Sequence, residues 1–326
     1  MKKALVLGGG GFIGSHMVKR LKNENYYVVG VDLKLPEYTK TVADNFYTTN
    51  LTNQTEVSEI LAQEENFDEI YQYAADMGGA GFVFTGDNDA DLMTNSASIN
   101  LNLLSNLKKS YKNLQDLKIF YSSSACMYPQ DIQQETDNPG LREEDAYPAN
   151  PDSEYGWEKL FSERLYQSFN KNYGLDVRIA RFHNTYGPEG AWTGGREKVP
   201  AAICRKVAIA NDGEEIEVWG DGEQTRSFLY IDDCIEATRR LMNSDHTTPI
   251  NIGSEEMVSI NELVGIVSKV SEKDIKIKHI DGPLGVRGRN SNNDLIKKVL
   301  DWNFEYSLKD GITKTYSWIE KQIKAK

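Results

Sequence analysis

Short apolar runs recur along the first 125 residues: ALVLG at 4 to 8, YVVGV at 27 to 31, EIYQYAA at 69 to 75 and LKIFYSS at 117 to 123. Their nearly continuous apolar character is that of strands covered on both faces. Between several of them, SHMVKRLKNE, VSEILAQEE and NLNLLSNLKK place apolar residues three and four apart, the period of an amphipathic helix. Strand and helix in alternation predict an α/β fold built on a doubly wound parallel sheet. Further on, DSEYGWEKLFSERLYQSF (152 to 169), SINELVGIVSKV and DGITKTYSWIEKQIKAK read as helices, the last two belonging to a smaller C-terminal lobe. The acidic cluster DNDAD at 87 to 91 has the opening of a calcium loop, but Leu92 stands where glycine is needed and Ser98 where the final glutamate belongs, so a solvated loop is expected.

Composition narrows the function. With 39% hydrophobic residues in 326, the chain can bury a large core, and no internal repeat interrupts it. A net charge of −12 repels phosphate backbones and anionic lipid, which argues against nucleic acid or a membrane as partner. Cys126, Cys204 and Cys234 are too few and scattered for a disulfide framework, and no CxxC or HExxH spacing suggests a metal. A reducing cytoplasm fits that pattern. The apolar run after Met1 stops in glycines at Leu7, so it reads as a first strand, not as a targeting segment.

GGGGFIG, between that strand and the next helix, carries glycines at 8, 11 and 14. In this setting, positions without a side chain let the backbone turn tightly and approach a pyrophosphate, which the helix N-terminus stabilises. Asp32 ends the following strand, where a carboxylate would accept a ribose 2′-hydroxyl and repel a 2′-phosphate; this favours NAD over NADP, with Lys34 close enough to soften the choice.

Three serines, 122 to 124, end the fourth apolar run, a place where a strand delivers hydroxyls to a cleft. Tyr155 and Lys159 lie four apart and share one helix face, so an ammonium one turn away can lower the phenol's affinity for its proton. A YxxxK pair is common by chance, and a free cysteine such as Cys126 is most often a small buried hydrophobe. The dinucleotide fingerprint and the serine-rich strand end together give Tyr155, Lys159 and Ser124 a chemical reading: acid/base, its partner, and an anchor for the substrate oxygen.

The combination of GxxGxxG, SSS, YxxxK and RFHNTYGP resembles the extended short-chain dehydrogenase/reductase family of nucleotide-sugar enzymes, also called NAD-dependent epimerases/dehydratases. The resemblance implies a Rossmann-type sheet over 1–185, some later segments returning to it, and a sugar-nucleotide lobe mainly over 186–326. It implies NAD contacts at Gly8, Gly11, Phe12, Ile13, Gly14, Asp32, Asn50, Leu51, Ala74, Tyr155 and Lys159. A 4,6-dehydratase of this family carries an acidic residue near the serine, where this chain has Ala125 and Cys126; a simple 4-epimerase needs no second acid/base. AADMGGAGF, SSACMYP, GGREKVPAA, VWGDGEQTRSF, NIGSEEMVS and GVRGRNSNN are similar, along nearly the whole chain, to the branch that inverts C3 and C5 of a GDP-hexose. That similarity implies an acid/base pair, Cys126 and Lys198, beside a transient 4-ketone, and substrate contacts from Gly78, Ser124, Asn184, Glu197, Lys198, Lys206 and Arg287. Arg226 and Arg287 also suit a diphosphate as guanidinium forks. By resemblance alone, a homodimer through 95 to 110 and 155 to 171 is expected. Another epimerase or a 4,6-dehydratase of the family, and a sensor that has lost chemistry, remain as alternatives.

Three departures stand out. Asn50 occupies a position usually aspartate, and Ser96 one usually asparagine that steadies the lysine through water. The stretches near 86 to 89 and 110 to 115 are longer than in family members, the first close to the expected sugar site.

Overall fold

A computed structural model of the chain describes residues 1–283 and 285–325. Seven parallel strands form one sheet: β1 (Lys3–Leu7), β2 (Tyr27–Asp32), β3 (Asn45–Thr48), β4 (Glu69–Gln72), β5 (Lys118–Ser124), β6 (Asp176–Phe182) and, after the short strands β7 (Thr185–Tyr186), β8 (Glu215–Trp219), β9 (Thr225–Ser227) and β10 (Leu229–Tyr230), β11 (Ile250–Ile252). Their order, β11-β6-β5-β4-β1-β2-β3, reverses direction between β1 and β4. A crevice opens at such a reversal, outside the carboxyl ends of the strands.

Side chains alternate across the sheet. Ala4 and Val6 of β1 and Phe120 of β5 join one core with α1 (Phe12–Asn23) and α7 (Ile231–Asn243). Leu5, Leu7, Ile119 and Tyr121 join the other with α2 (Gln54–Gln63), α4 (Asp89–Ser110) and α5 (Glu154–Tyr173). A short α3 (Ala80–Val83) precedes α4. α4 starts before the expected cluster ends: Asp89 and Asp91 occupy its first turn, where carboxylates complement the helix dipole, so DNDAD is only partly loop.

The first core continues into the C-terminal lobe through Trp192, Cys204 and Leu263. There α6 (Val199–Ile209), α8 (Ile260–Ser271) and α10 (Leu308–Lys324) pack together. α10 begins at a Ser307 cap, two residues before the expected helix; Lys326 lies outside the described residues. β8 pairs with β13 (Lys276–Ile280), β7 with β10, and β9 lies between β12 (Met257–Ser259) and β14 (Gly288–Arg289), just before α9 (Asp294–Leu300). No helix among the described residues is long and apolar enough to cross a membrane.

A buried polar belt joins sheet and lobe. Asn251 of β11 accepts from the Tyr128 hydroxyl (2.8 Å), contacts His183 Nε2 (3.1 Å) and donates to the Leu141 carbonyl (2.8 Å). His183 Nδ1 is buried without a hydrogen bond among the described residues. Burial pulls the His183 imidazole down to about 3. An unfolded histidine protonates near 6.5 and the folded one does not, so the stability this residue contributes is complete above pH 6.5 and is lost as pH falls from there toward 3. His183→Gln is therefore expected to flatten the fall of unfolding free energy between pH 6 and 4.5 by up to about 1.4 kcal/mol per pH unit. Denaturant titrations across that range check it; equal slopes for variant and wild type would show that His183 is not held neutral.

Candidate active site

The glycine loop closes the crevice on one side. Gly8 has φ +82°, and a Cβ built on it would lie 2.8 Å from the Ala74 amide of the loop after β4. A Cβ on Gly14 would meet the Gly8 carbonyl at 2.0 Å, and one on Gly10 the Lys34 carbonyl at 2.0 Å. Only hydrogen fits at these positions. α1 follows with Gly11 as its N-cap, no capping side chain and no acid in its first turn. Its leading N–H groups therefore keep the positive end of the helix dipole for an anion. Asp32 accepts from the Gly10 and Leu33 amides (3.0 and 2.7 Å) at the rim of this loop, and burial raises its carboxyl despite those bonds. A glycine cradle, an uncapped helix and a carboxylate at the next strand end fit a dinucleotide.

The other expected cofactor contacts differ in kind. Ala74 is fixed by Gln72, whose side chain both donates to its carbonyl and accepts from its amide (3.0 Å each). Leu51 is buried in the core under α2, so only its backbone faces outward chemistry. Phe12 and Ile13 are half-buried, Phe12 edge-on to His16. The Asn50 side-chain oxygen Oδ1 accepts from the Thr52 amide and hydroxyl (3.0 and 2.8 Å), and Lys34 pairs with Glu37 (3.0 Å).

α5 is fastened to the end of β5 along one face. At Gly156 a Cβ would stand 2.1 Å from the Cys126 carbonyl. One turn on, Lys159 Nζ donates to the Ser122 carbonyl (2.9 Å). One turn further, Glu163 accepts from the Ser123 hydroxyl and pairs with Arg181 of β6 (2.9 Å). This contact brings the Tyr155 phenol within electrostatic range of Ser124. Burial raises the Tyr155 phenol far above its usual value and the nearby Cys126 adds to this, while Ser124 opposes it. Burial likewise lowers the Lys159 ammonium, against the attraction of Glu158, Glu163 and Cys126.

Ser96 is buried and accepts from the Asp76 amide (3.0 Å). One turn later Asn100 joins three elements: it accepts from Gln72 (2.9 Å) and Tyr166 (3.0 Å) and donates to Ser162 (3.1 Å). An asparagine is thus present in the helix, one turn beyond the expected place.

The lobe completes the corner. Lys198, at the N-cap of α6, makes no side-chain hydrogen bond or ion pair among the described residues, and burial lowers its ammonium against the opposing pull of Cys126 and Cys234. Its loop is laced to the loop after β4: Gly79 donates to the Arg196 carbonyl (3.2 Å), and Arg196 lies over the Phe82 ring (4.1 Å). Glu197 does not project freely; it accepts from the Gly195 amide (2.7 Å) and pairs with Arg205 (3.0 Å). Asn184, at φ 46°, donates to the Ser227 carbonyl (2.9 Å).

Lys206 donates to the Glu217 carbonyl (2.5 Å) and Arg287 pairs with Asp221 (2.9 Å), both around the end of β8. Gly78 leads the turn in which Gly81 comes up to Trp219 of the same strand; a Cβ there would be 3.4 Å from its ring. Arg226, half-buried, donates to the Val286 carbonyl (2.7 Å), and desolvation together with Arg289 lowers its guanidinium to about 9.

Arg289 escapes the sequence reading, although GVRGRNSNN contains it. In β14 it stands in register beside Arg226 of β9. Two arginines two residues apart look equivalent until strand pairing shows which one turns inward.

Residues 4–253 match the NAD dependent epimerase/dehydratase family. The chain is 46% identical to the GDP-mannose 3,5-epimerase of Arabidopsis thaliana over 98% of its length and 83% of that protein's. It is 45% identical to GDP-mannose 3,5-epimerase 1 of Oryza sativa subsp. indica over 98% and 82%. Among solved structures it is similar to the UDP-glucuronic acid 4-epimerase of Bacillus cereus in complex with UDP-glucuronic acid and NAD, at TM-score 0.82, 26% identity and coverage of 98% and 99%. UDP-glucose 4-epimerase from Thermotoga maritima with UDP-glucose superposes at TM-score 0.85, 25% identity and the same coverage.

Gly156→Ala is expected to push α5 off the Cys126 carbonyl, costing about 1–3 kcal/mol of stability and displacing Tyr155 from Ser124. A lowered unfolding midpoint with turnover falling further than stability alone explains would bear this out; a variant as stable and active as wild type would mean that the contact is slack.

Proposed function

The chain belongs to the NAD dependent epimerase/dehydratase family, and on that premise we propose that it is a GDP-mannose 3,5-epimerase. It is an NAD-dependent enzyme, and the glycine cradle with Asp32 fits that cofactor. The observation that carries the finer reading is the 46% identity to an enzyme of that name, and the Cys126 amide on Ser124 Oγ with Tyr155 and Lys198 within electrostatic range of the sulfur supports it.

Bound in the crevice, NAD supplies reversible oxidation at C4 of the hexose, which leaves the hydrogens on C3 and C5 acidic. Ser124 holds the C4 oxygen and Tyr155 takes the proton of its hydroxyl, the phenolate being stabilised by Lys159 as the cleft fills. Cys126 and Lys198 come from different lobes and address opposite faces of the ring. One removes a proton and the other returns one, inverting each carbon. The lowered Lys198 ammonium suits this work, since an amine that gives up its proton more readily than an exposed lysine trades protons more readily with carbon. Tyr155 then returns its proton to the C4 oxygen.

Arg226 lies within electrostatic reach of Arg289 at the corner and of Arg287 at the rim. That path of guanidinium groups suits a diphosphate joining a hexose inside to a nucleoside outside. Lys206, Gly78, Asn184 and Glu197 shape its walls, the last two through the loop bonds described. The homodimer belongs to the same reading: Leu101 on α4 and Trp157 and Phe161 on α5 are large apolar side chains left exposed.

In heavy water, GDP-mannose is expected to gain deuterium at C3 and C5, read by NMR and mass; label at neither carbon would refute the proposal. Cys126→Ser should keep bound NAD and lose exchange by roughly 100-fold or more, because an alcohol is too weak an acid to trade protons at neutral pH. Tyr155→Phe should retain NAD yet show no reduced-cofactor absorbance on adding substrate. Appearance of that absorbance would remove Tyr155 from the chemistry.

A further inference from the structure

Cys126 sits in the short turn that ends β5, and its sulfur meets a guanidinium. Arg289 Nη1 is 3.0 Å from Cys126 Sγ, its Nη2 donates to Asp152 Oδ2 (2.9 Å), and its Nε donates to Gln133 Oε1 (2.6 Å). Arg289 and Asp152 are both almost wholly buried, with side-chain exposures of 4% and 5%. All three arms of the fork are therefore assigned, one of them to sulfur.

The fork is held from several sides. The Arg287 amide donates to the Gln133 carbonyl (3.0 Å), Asn138 donates to the Gly288 carbonyl (3.1 Å), and a Cβ on Gly288 would strike the Glu135 carbonyl at 2.1 Å. These bonds fix β14 against the segment that follows Cys126. Other titratable groups lie within electrostatic range of the sulfur: Tyr155 and Lys159 from α5, Lys198 from the head of α6, Arg226 from β9. Asp152, reached through Arg289, is the nearby anion.

We propose that Arg289 is the positioning residue of the proton-transfer step: its guanidinium holds Cys126 Sγ toward the hexose. A hydrogen bond with an ionised donor is roughly twice as strong as a neutral one, so the guanidinium is a firm anchor for the sulfur. Asp152 and Gln133 keep the guanidinium from turning away. The inference deepens the epimerase reading and rests on it for the step that Cys126 performs, but the reach of the sulfur can be read without any sugar.

The test is alkylation of Cys126 by iodoacetamide at neutral pH, followed by peptide mass, in the NAD-loaded full chain; Cys204 and Cys234 are fully buried and serve as internal controls. A sulfur held toward the open cleft should react at least about tenfold faster in wild type than in Arg289→Gln. Arg289→Lys should fall between them, and deuterium exchange into GDP-mannose should follow the same order at constant NAD content. Equal or faster alkylation of Arg289→Gln would overturn the proposal. Should Arg289→Gln fail to fold, Arg289→Lys carries the comparison: slower alkylation than wild type supports the proposal, and an equal or faster rate overturns it. Slower alkylation of the variants without any exchange from GDP-mannose in wild type would instead sink the epimerase reading and leave the Arg289–sulfur contact standing.

Discussion

The geometry depends on how tightly α5 is drawn onto the end of β5. Gly156, Lys159 and Glu163 are spaced so that one helix face meets the strand at three successive turns: a missing side chain against the Cys126 carbonyl, an ammonium on the Ser122 carbonyl, and a carboxylate between Ser123 and Arg181. Each contact is buried, where an unpaired polar group costs more than in water. The helix therefore has one depth at which all three are satisfied, and at that depth Tyr155 reaches Ser124.

That fastening builds half a site. It supplies the parts needed to oxidise a secondary alcohol, and the likeness to UDP-sugar 4-epimerases at about the same TM-score shows how widely the scaffold is shared. What sets this chain apart comes from the second lobe. The Lys198 loop is laced to the loop after β4, and β14 returns beneath the turn that carries Cys126. Arg289 of β14 thus meets the sulfur, with cationic groups from α5, the α6 N-cap and β9 within electrostatic range of it. In a chain of net charge −12 such a cluster attracts a dianionic ligand while the rest of the surface repels anions.

The two lobes share a continuous apolar core and the polar belt around Asn251, so their relative placement is set by packing rather than by a linker. For the proposed proton transfers this matters, because a shift of an ångström between Cys126 and Lys198 would spoil one of two trajectories on opposite faces of a ring.

Much of this was legible in the residues themselves. Apolar runs located four strands of the sheet, β1, β2, β4 and β5, and helical periods marked α1, α2, α5, α8 and α10 and the later part of α4, because burial on two faces or one leaves a period in the chain. The glycines at 8, 11 and 14, Asp32, and the Tyr155–Lys159 spacing were readable because their geometry is local: a turn, a strand end, one helical repeat. The start of α4 inside DNDAD was missed because acidic residues look like loop until a dipole is there to hold them. Arg289, Asp152, Gln133 and Asn100 could not be found that way. Their partners lie 28 to 163 residues away, as with Arg289 and Cys126 or Asn100 and Gln72, and no pattern along a chain records which side chain will be turned inward when two strands pair. Sequence determined the sheet, the cofactor cradle and the phenol with its lysine; folding decided which arginine meets the sulfur, because only the register of β9 against β14 brings that guanidinium to it.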